Sequence, residues 1–250
     1  MFPYKDDNPT LRTPVVTMLL IGLNVAVWAL VQGYGGSEAL ARSICEKGLL
    51  PATITGLARE GASFPVSERL VCTYDGVPDY TTLLWSMFMH GGWLHLLGNV
   101  WFLWVFGNNV EDSMGRVRFV AFYLLCGLAA AGAQIGSAPG SLVPMVGASG
   151  AIGGVMGAYI ALYPRVRVHM LFWFAIFFWR FHLPAWVMLG VWALAQLAGG
   201  ASSQAGQGGT AYMAHIGGFL AGVLLIQLFQ DRELVDAHRR VNRGHYAESM

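Results

Sequence analysis

The chain is a series of long apolar runs separated by short polar breaks rich in glycine and proline. Each run approaches the roughly 20 residues that a helix needs to cross a hydrocarbon core. The pattern predicts six spans: Val15 to Val31, His90 or Trp93 to Phe106, Phe119 to Gln134, Ser149 to Leu162, Pro184 to Ala198 and Thr210 to Phe229. An amphipathic lead-in from Leu83 precedes the second span, and Gly107-Asn108-Asn109 with Glu111 and Asp112 reads as a short polar turn after it. Val168 to Phe181 is apolar and aromatic but is closed by Arg180, His182 and Pro184, so it reads as an interfacial segment rather than a crossing. Residues 32–80 form a polar first loop too long for a plain connector, and it is expected to carry structure or function.

Composition agrees with this pattern. Of 250 residues, 55% are hydrophobic and only 12% charged, whereas soluble chains carry about 25% charged residues. The expected class is an all-α polytopic membrane protein with six transmembrane helices. A net charge of +1 gives no electrostatic footprint for nucleic acid. Lys5, Arg12, Arg116, Arg118, Arg165, Arg167 and the arginines of the tail fall on one face, which the positive-inside rule makes cytoplasmic. The expected organisation is a cytoplasmic segment 1–14, a six-helix domain 15–229 with an extracytoplasmic first loop, and a cytoplasmic tail 230–250. The first run lacks a small-residue cleavage site after it and is expected to stay as a span. Cys126 belongs in the core. Cys45 and Cys72 share the first loop, and whether they pair is left open, because spacing does not supply the geometry a bridge needs.

Polar groups inside apolar spans are costly and therefore informative. Away from span ends these are Asn24, His95, Asn99, Ser149 and His215, with no Asp or Glu among them. That excludes an aspartyl pair or a His-Glu-x-x-His zinc helix. Asn24 should face other helices. His95 and Asn99 lie four apart, on one helical face, and could hold an oxyanion or simply bond across helices. His90 lies about 140° away from His95, so it is assigned a structural role, fixing the Gly91-Gly92 backbone.

Ser149 lies in Gly147-Ala148-Ser149-Gly150 at the start of a small-residue helix. Free N–H groups and the positive end of the dipole would favour charge developing on its hydroxyl, and the bracketing glycines would let another backbone approach. Taken alone, the string reads first as a close-packing motif. His215, in Ala214-His215-Ile216-Gly217-Gly218, shares a stripe of small residues with Ala211 and Gly218 to Gly222. If that stripe fits the glycines of span four, His215 faces Ser149 at a matching depth.

Together, His90-Gly91-Gly92-Trp93-Leu94-His95-Leu96-Leu97-Gly98-Asn99, Gly147-Ala148-Ser149-Gly150 and Ala214-His215-Ile216-Gly217-Gly218 resemble the rhomboid family of intramembrane serine proteases over about residues 10 to 230. The resemblance implies a compact rhomboid-like bundle, Ser149 as nucleophile, His215 as general base, and His95 and Asn99 as oxyanion donors. Glu111 and Gly115 match the family's turn after span two, as structural residues. Two features depart from the family: Asp79-Tyr80-Thr81-Thr82 stands where Trp-Arg often precedes span two, and Gly153 stands where some members place a tyrosine against the histidine.

The resemblance further implies that transmembrane proteins are the substrates, that the lipid bilayer is the other partner, and that no metal or cofactor is needed. A bacterial inner membrane is the expected location. The alternatives are a catalytically inactive rhomboid-like protein that binds and steers client membrane proteins, a small transporter, and a zinc site from His90, His95 and His215.

Overall fold

A computed structural model describes residues 2–66, 70–174, 177–202 and 210–248, with the side chains of 173–174 and 242–248 left aside. In chain order the elements are β1 (Phe2–Asp6), α1 (Val15–Leu30), α2 (Ser37–Lys47), α3 (Pro51–Ile54), β2 (Ser63–Pro65), β3 (Val71–Thr73), α4 (Thr82–Trp85), α5 (Trp93–Met114), α6 (Arg116–Ser137) and α7 (Ser149–Leu162). They continue with β4 (Arg167–Phe174), β5 (Phe177–Pro184), α8 (Ala185–Ser202), α9 (Tyr212–Phe229) and α10 (Arg232–Glu248). Helices α6, α8 and α9 are long and apolar enough to cross a membrane, while α1 and α7 are apolar but shorter. Leu94, Leu194, Leu224 and Leu228 point outward, the arrangement lipid requires and water would penalise.

Glycine decides how the central helices meet. A Cβ on Gly218 would lie 1.9 Å from the carbonyl oxygen of Gly150, and one on Gly222 1.9 Å from that of Gly154. Only hydrogen fits there, so α7 and α9 touch backbone to backbone, as small-residue stripes permit in membranes. On the other face of α7, Gly154 rests on Cys126 of α6, and Gly217 of α9 rests on Ala133 of α6. The three helices lock together along their small faces. Around them Leu103, Phe106, Phe119, Phe122, Val155 and Tyr159 form one buried core.

Three expectations need correction. The predicted turn at 107–112 is helix: α5 runs on to Met114 and breaks only at Gly115, whose φ is 83°. Its polar residues are tolerated because the N-terminal segment and α10 supply partners. Asp112 accepts from the Leu11 N–H at 2.7 Å and lies 3.1 Å from buried His238, and Asn109 donates to Asp6 at 3.0 Å. So α5 does carry two carboxylates, Glu111 and Asp112, at one end. The fold is not all-α: the Val168 to Phe181 stretch, expected only as interfacial, belongs to a hairpin, β4 paired antiparallel with β5, to which β1 adds a third strand. Alternating Arg167, His169 and Leu171 with β-branched and aromatic neighbours suits a pleat better than a helical face.

The first loop is structured, with helices α2 and α3 and the β2–β3 pair, and Cys45 and Cys72 form a disulfide. Asn24 is buried, its amide donating to the Leu20 carbonyl at 2.7 Å within α1. The predicted loop Ala201 to Gly209 falls outside the described residues from 203 onward.

Candidate active site

Ser149 is the first residue of α7. Two residues before it, Gly147 has φ 139° and donates its N–H to the Ser86 carbonyl at 2.8 Å. That backbone lies in a region L side chains rarely adopt, so the turn depends on glycine. The turn aims the hydroxyl at α9. His215 lies one turn into α9, and its Nε2 is 2.7 Å from Ser149 Oγ. The close glycine packing of α7 on α9 sets that distance.

The pair lies on a cavity of about 790 Å³ lined also by His95, Asn99, Met145 and Trp192. A Cβ on Gly147 would lie 2.8 Å from His95 Nε2 and 3.3 Å from Ser149 Oγ, so the imidazole of His95 flanks the serine turn. Its other nitrogen, Nδ1, accepts the Gly91 N–H at 3.2 Å. An accepting Nδ1 leaves the proton on Nε2, which makes His95 a donor toward the cavity. Asn99, one turn further along α5, is buried, and its Nδ2 has no protein partner. Both residues of this α5 face line the cavity.

His90 differs from its expected role. Its ring is fully buried and stands edge-on to His95 at 5.3 Å. The Gly91 N–H belongs to His95 instead, and the backbone of His90 is itself held at both ends by Gln32, with bonds of 2.8 Å.

Two residues of α8 at the site went unread in the sequence. Gln196 Oε1 lies 2.7 Å from His215 Nδ1. Trp192 packs its ring against His215 at 6.0 Å between centroids and against Phe219 at 5.8 Å. They bear on Gly153: a Cβ there would lie 3.0 Å from the His215 carbonyl and 3.8 Å from the Trp192 ring, so Trp192, from the neighbouring helix, packs against the imidazole where some members use a tyrosine. The available signal is a glutamine inside an apolar span, two residues from the predicted end at Ala198.

The first loop reaches the site as well. Leu49 and Met145 exchange backbone hydrogen bonds of 3.0 and 2.8 Å, and the Ala52 N–H donates to Ser141. The disulfide-bearing loop thereby holds the 141–146 segment that roofs the cavity.

With this geometry in view, residues 78–232 match the rhomboid domain family. The chain belongs to the rhomboid family. It is 30% identical over 165 residues to rhomboid-like protein 11, chloroplastic, of Arabidopsis thaliana, covering 62% of this chain and 54% of that protein. It is 31% identical over 166 residues to rhomboid protein 1, mitochondrial, of Saccharomyces cerevisiae, covering 64% and 44%. With rhomboid-like protease 5 of Toxoplasma gondii it shares 30% over 148 residues, covering 57% and 15%. The chain thus spans about half or less of these relatives' lengths. It is a membrane protein of a polytopic family. The organelles named for two of these relatives give no support to the bacterial inner membrane expected above.

Proposed function

We propose that this rhomboid is an intramembrane serine endopeptidase that cuts peptide bonds in or near transmembrane segments of other proteins. The observation that carries the reading is the 2.7 Å contact between Ser149 Oγ and His215 Nε2 on a cavity lined by His95 and by Asn99, whose Nδ2 has no protein partner. In this mechanism neutral His215 takes the Ser149 proton as Oγ attacks the peptide carbonyl. The oxyanion is met by His95 Nε2–H, by Asn99 Nδ2 and by the N–H of Ser149, which as a first-turn group has no partner within its own helix. Collapse breaks the C–N bond, His215 returns the proton to the leaving amine, and the acyl group stays on Ser149. Water then attacks the ester, its proton passing to His215, and releases the carboxylate. Ser137 and Ser141 line the cavity and offer water a polar way in.

The reading includes six crossings, with β1, the β4–β5 hairpin and α10 on the cytoplasmic side and the first loop outside. The basic residues at Lys5, Arg12, Arg118 and Arg167 support it, because they lie at the end of the bundle opposite Ser149. Substrates must present an extended, unpaired peptide bond, so spans weakened by small or helix-breaking residues suit the site.

Labelling of the detergent-solubilised protein by a fluorophosphonate tests the reading. Wild type should label, and Ser149→Ala and His215→Ala should not. A folded wild type that fails to label would overturn it in favour of a non-catalytic rhomboid-like binder of membrane proteins.

A further inference from the structure

A histidine that accepts a proton at Nε2 must carry one at Nδ1, and the partner of Nδ1 determines whether it does. Serine hydrolases commonly use a carboxylate there. Among the described residues, no carboxylate lines this cavity. The group at Nδ1 is the carboxamide of Gln196, 2.7 Å away on a different helix.

We infer that Gln196 is the positioning residue of the dyad: its Oε1 accepts the Nδ1 proton of His215 and so fixes the tautomer and the plane of the imidazole. This rests on the serine–histidine reading above. With Oε1 accepting, the Nε2 lone pair faces Ser149 and can receive its proton. With the carboxamide reversed, the amide NH₂ would donate to Nδ1, Nε2 would carry the hydrogen, and no base would face the serine. The same Oε1 dipole also meets the imidazolium that forms on proton transfer, at no reorganisation cost.

The surroundings hold Gln196 to this contact. Trp192, one turn earlier on α8, packs its ring against the imidazole at 34° between planes, so ring and carboxamide both engage His215 from one helix. The buried residues of α8 are Ala185, Met188 and Leu189, all in its first half. Beyond them the helix meets α9 through Trp192, Gln196 and the tyrosine ring seated on Gly199. His215 is thus one of several α9 residues that the second half of α8 touches, with Phe219, Tyr212 and Met213.

The test uses the full chain in detergent and a fluorophosphonate probe, separating the maximal inactivation rate from the probe's half-saturating concentration. Gln196→Met keeps length and helical character but removes the acceptor. It should slow the maximal rate roughly 10- to 100-fold, by analogy with the loss when the outer partner of a metal-bound histidine is removed, with half-saturation and thermal unfolding unchanged. Gln196→Glu, whose ionised carboxylate can only accept, should restore most of the rate. A Gln196→Met protein that labels at the wild-type rate would overturn the assignment. So would a folded Gln196→Glu protein as slow as Gln196→Met, since the side chain would then matter for packing alone. Failure of wild type itself to label, or labelling that survives Ser149→Ala, would instead remove the dyad reading on which the assignment stands.

Discussion

The carboxylate of Glu111 accepts both the backbone N–H and the hydroxyl of Thr17, at 2.8 and 2.9 Å, while its other oxygen takes the N–H of Val16 at 3.0 Å. A residue near the end of α5 thus caps the start of α1, where first-turn N–H groups lack helical partners and the helix dipole favours negative charge. Glu111→Ala would strand three buried donors. It should cost about 3 kcal/mol, read as a lower unfolding temperature in detergent, and Glu111→Gln, which keeps one acceptor, should lose less. Because Glu111 lies at the end of α5 remote from Ser149, fluorophosphonate labelling of whatever remains folded should proceed at the normal rate.

Asn99 gives the opposite separation. Its Nδ2 has no protein partner, so Asn99→Ala breaks no bond of the resting protein and should leave thermal unfolding where it is. If the amide meets the oxyanion, proteolytic turnover should fall roughly 10²- to 10³-fold, about 3 to 4 kcal/mol in the barrier. His95→Ala should lose turnover and some stability together, since it also removes the acceptor for the Gly91 N–H. A cleavage assay on a reconstituted single-span substrate, run beside thermal unfolding, separates the two cases.

The part of this site that was legible in the sequence is the part set by local rules. Ser149 and His215 could be matched because glycine stripes on two spans announce close packing, and depth along parallel helices can be counted. His95 and Asn99 share a face because four residues are close to a full turn. What escaped depends on partners far along the chain. Nothing near Asn109 or Asp112 says that residues 6–12 and His238 will bury them, so the helix looked ended at Phe106. The hairpin at 167–184 was obscured because an aromatic-rich run of that length suits an interfacial helix as well as a strand, and β1, the strand it pairs with, lies some 160 residues earlier. The Cys45–Cys72 bridge needed a loop geometry that spacing does not give. Gln196 was visible but carried no mark distinguishing a partner for His215 from a polar residue at a span's edge.

Asp6 makes stability depend on pH. Its carboxyl, outside the spans, bonds the Tyr159 hydroxyl and the Asn109 amide, but burial dominates and lifts its pKa from 3.8 to about 7, with Asp7 adding repulsion. Below the unfolded value both states hold the proton and pH has no effect through this group. Between there and about 7 the native state keeps a proton that the unfolded chain has lost, so stability falls as pH rises. Above that range the contribution is flat. Unfolding temperatures measured from pH 4 to 8 should decline across this window in wild type, and the slope should be shallower in Asp6→Asn. An unchanged slope in that variant would assign the decline to other groups.

Gly218 and Gly222 couple stability to the dyad. A methyl group at either would meet a backbone carbonyl of α7 at 1.9 Å, and backbone cannot rotate away as a side chain can. Helices α7 and α9 must then separate, at a cost of about 1 to 3 kcal/mol or more for overpacking. The hydrogen bond between Ser149 and His215 crosses that same seam, so separation lengthens it. Gly218→Ala, whose glycine opposes Gly150 beside the serine, should lose both thermal stability and fluorophosphonate labelling. Gly222→Ala, a turn further away, should lose comparable stability but retain more labelling, because the displaced segment is remote from His215. Gly132→Ala on α6 is the control: its added methyl meets nothing within 4 Å, and alanine favours helix over glycine by about 1 kcal/mol. That variant should match or exceed wild type in both assays. If Gly218→Ala labelled as fast as wild type, the glycine seam would not be what holds the serine and histidine together.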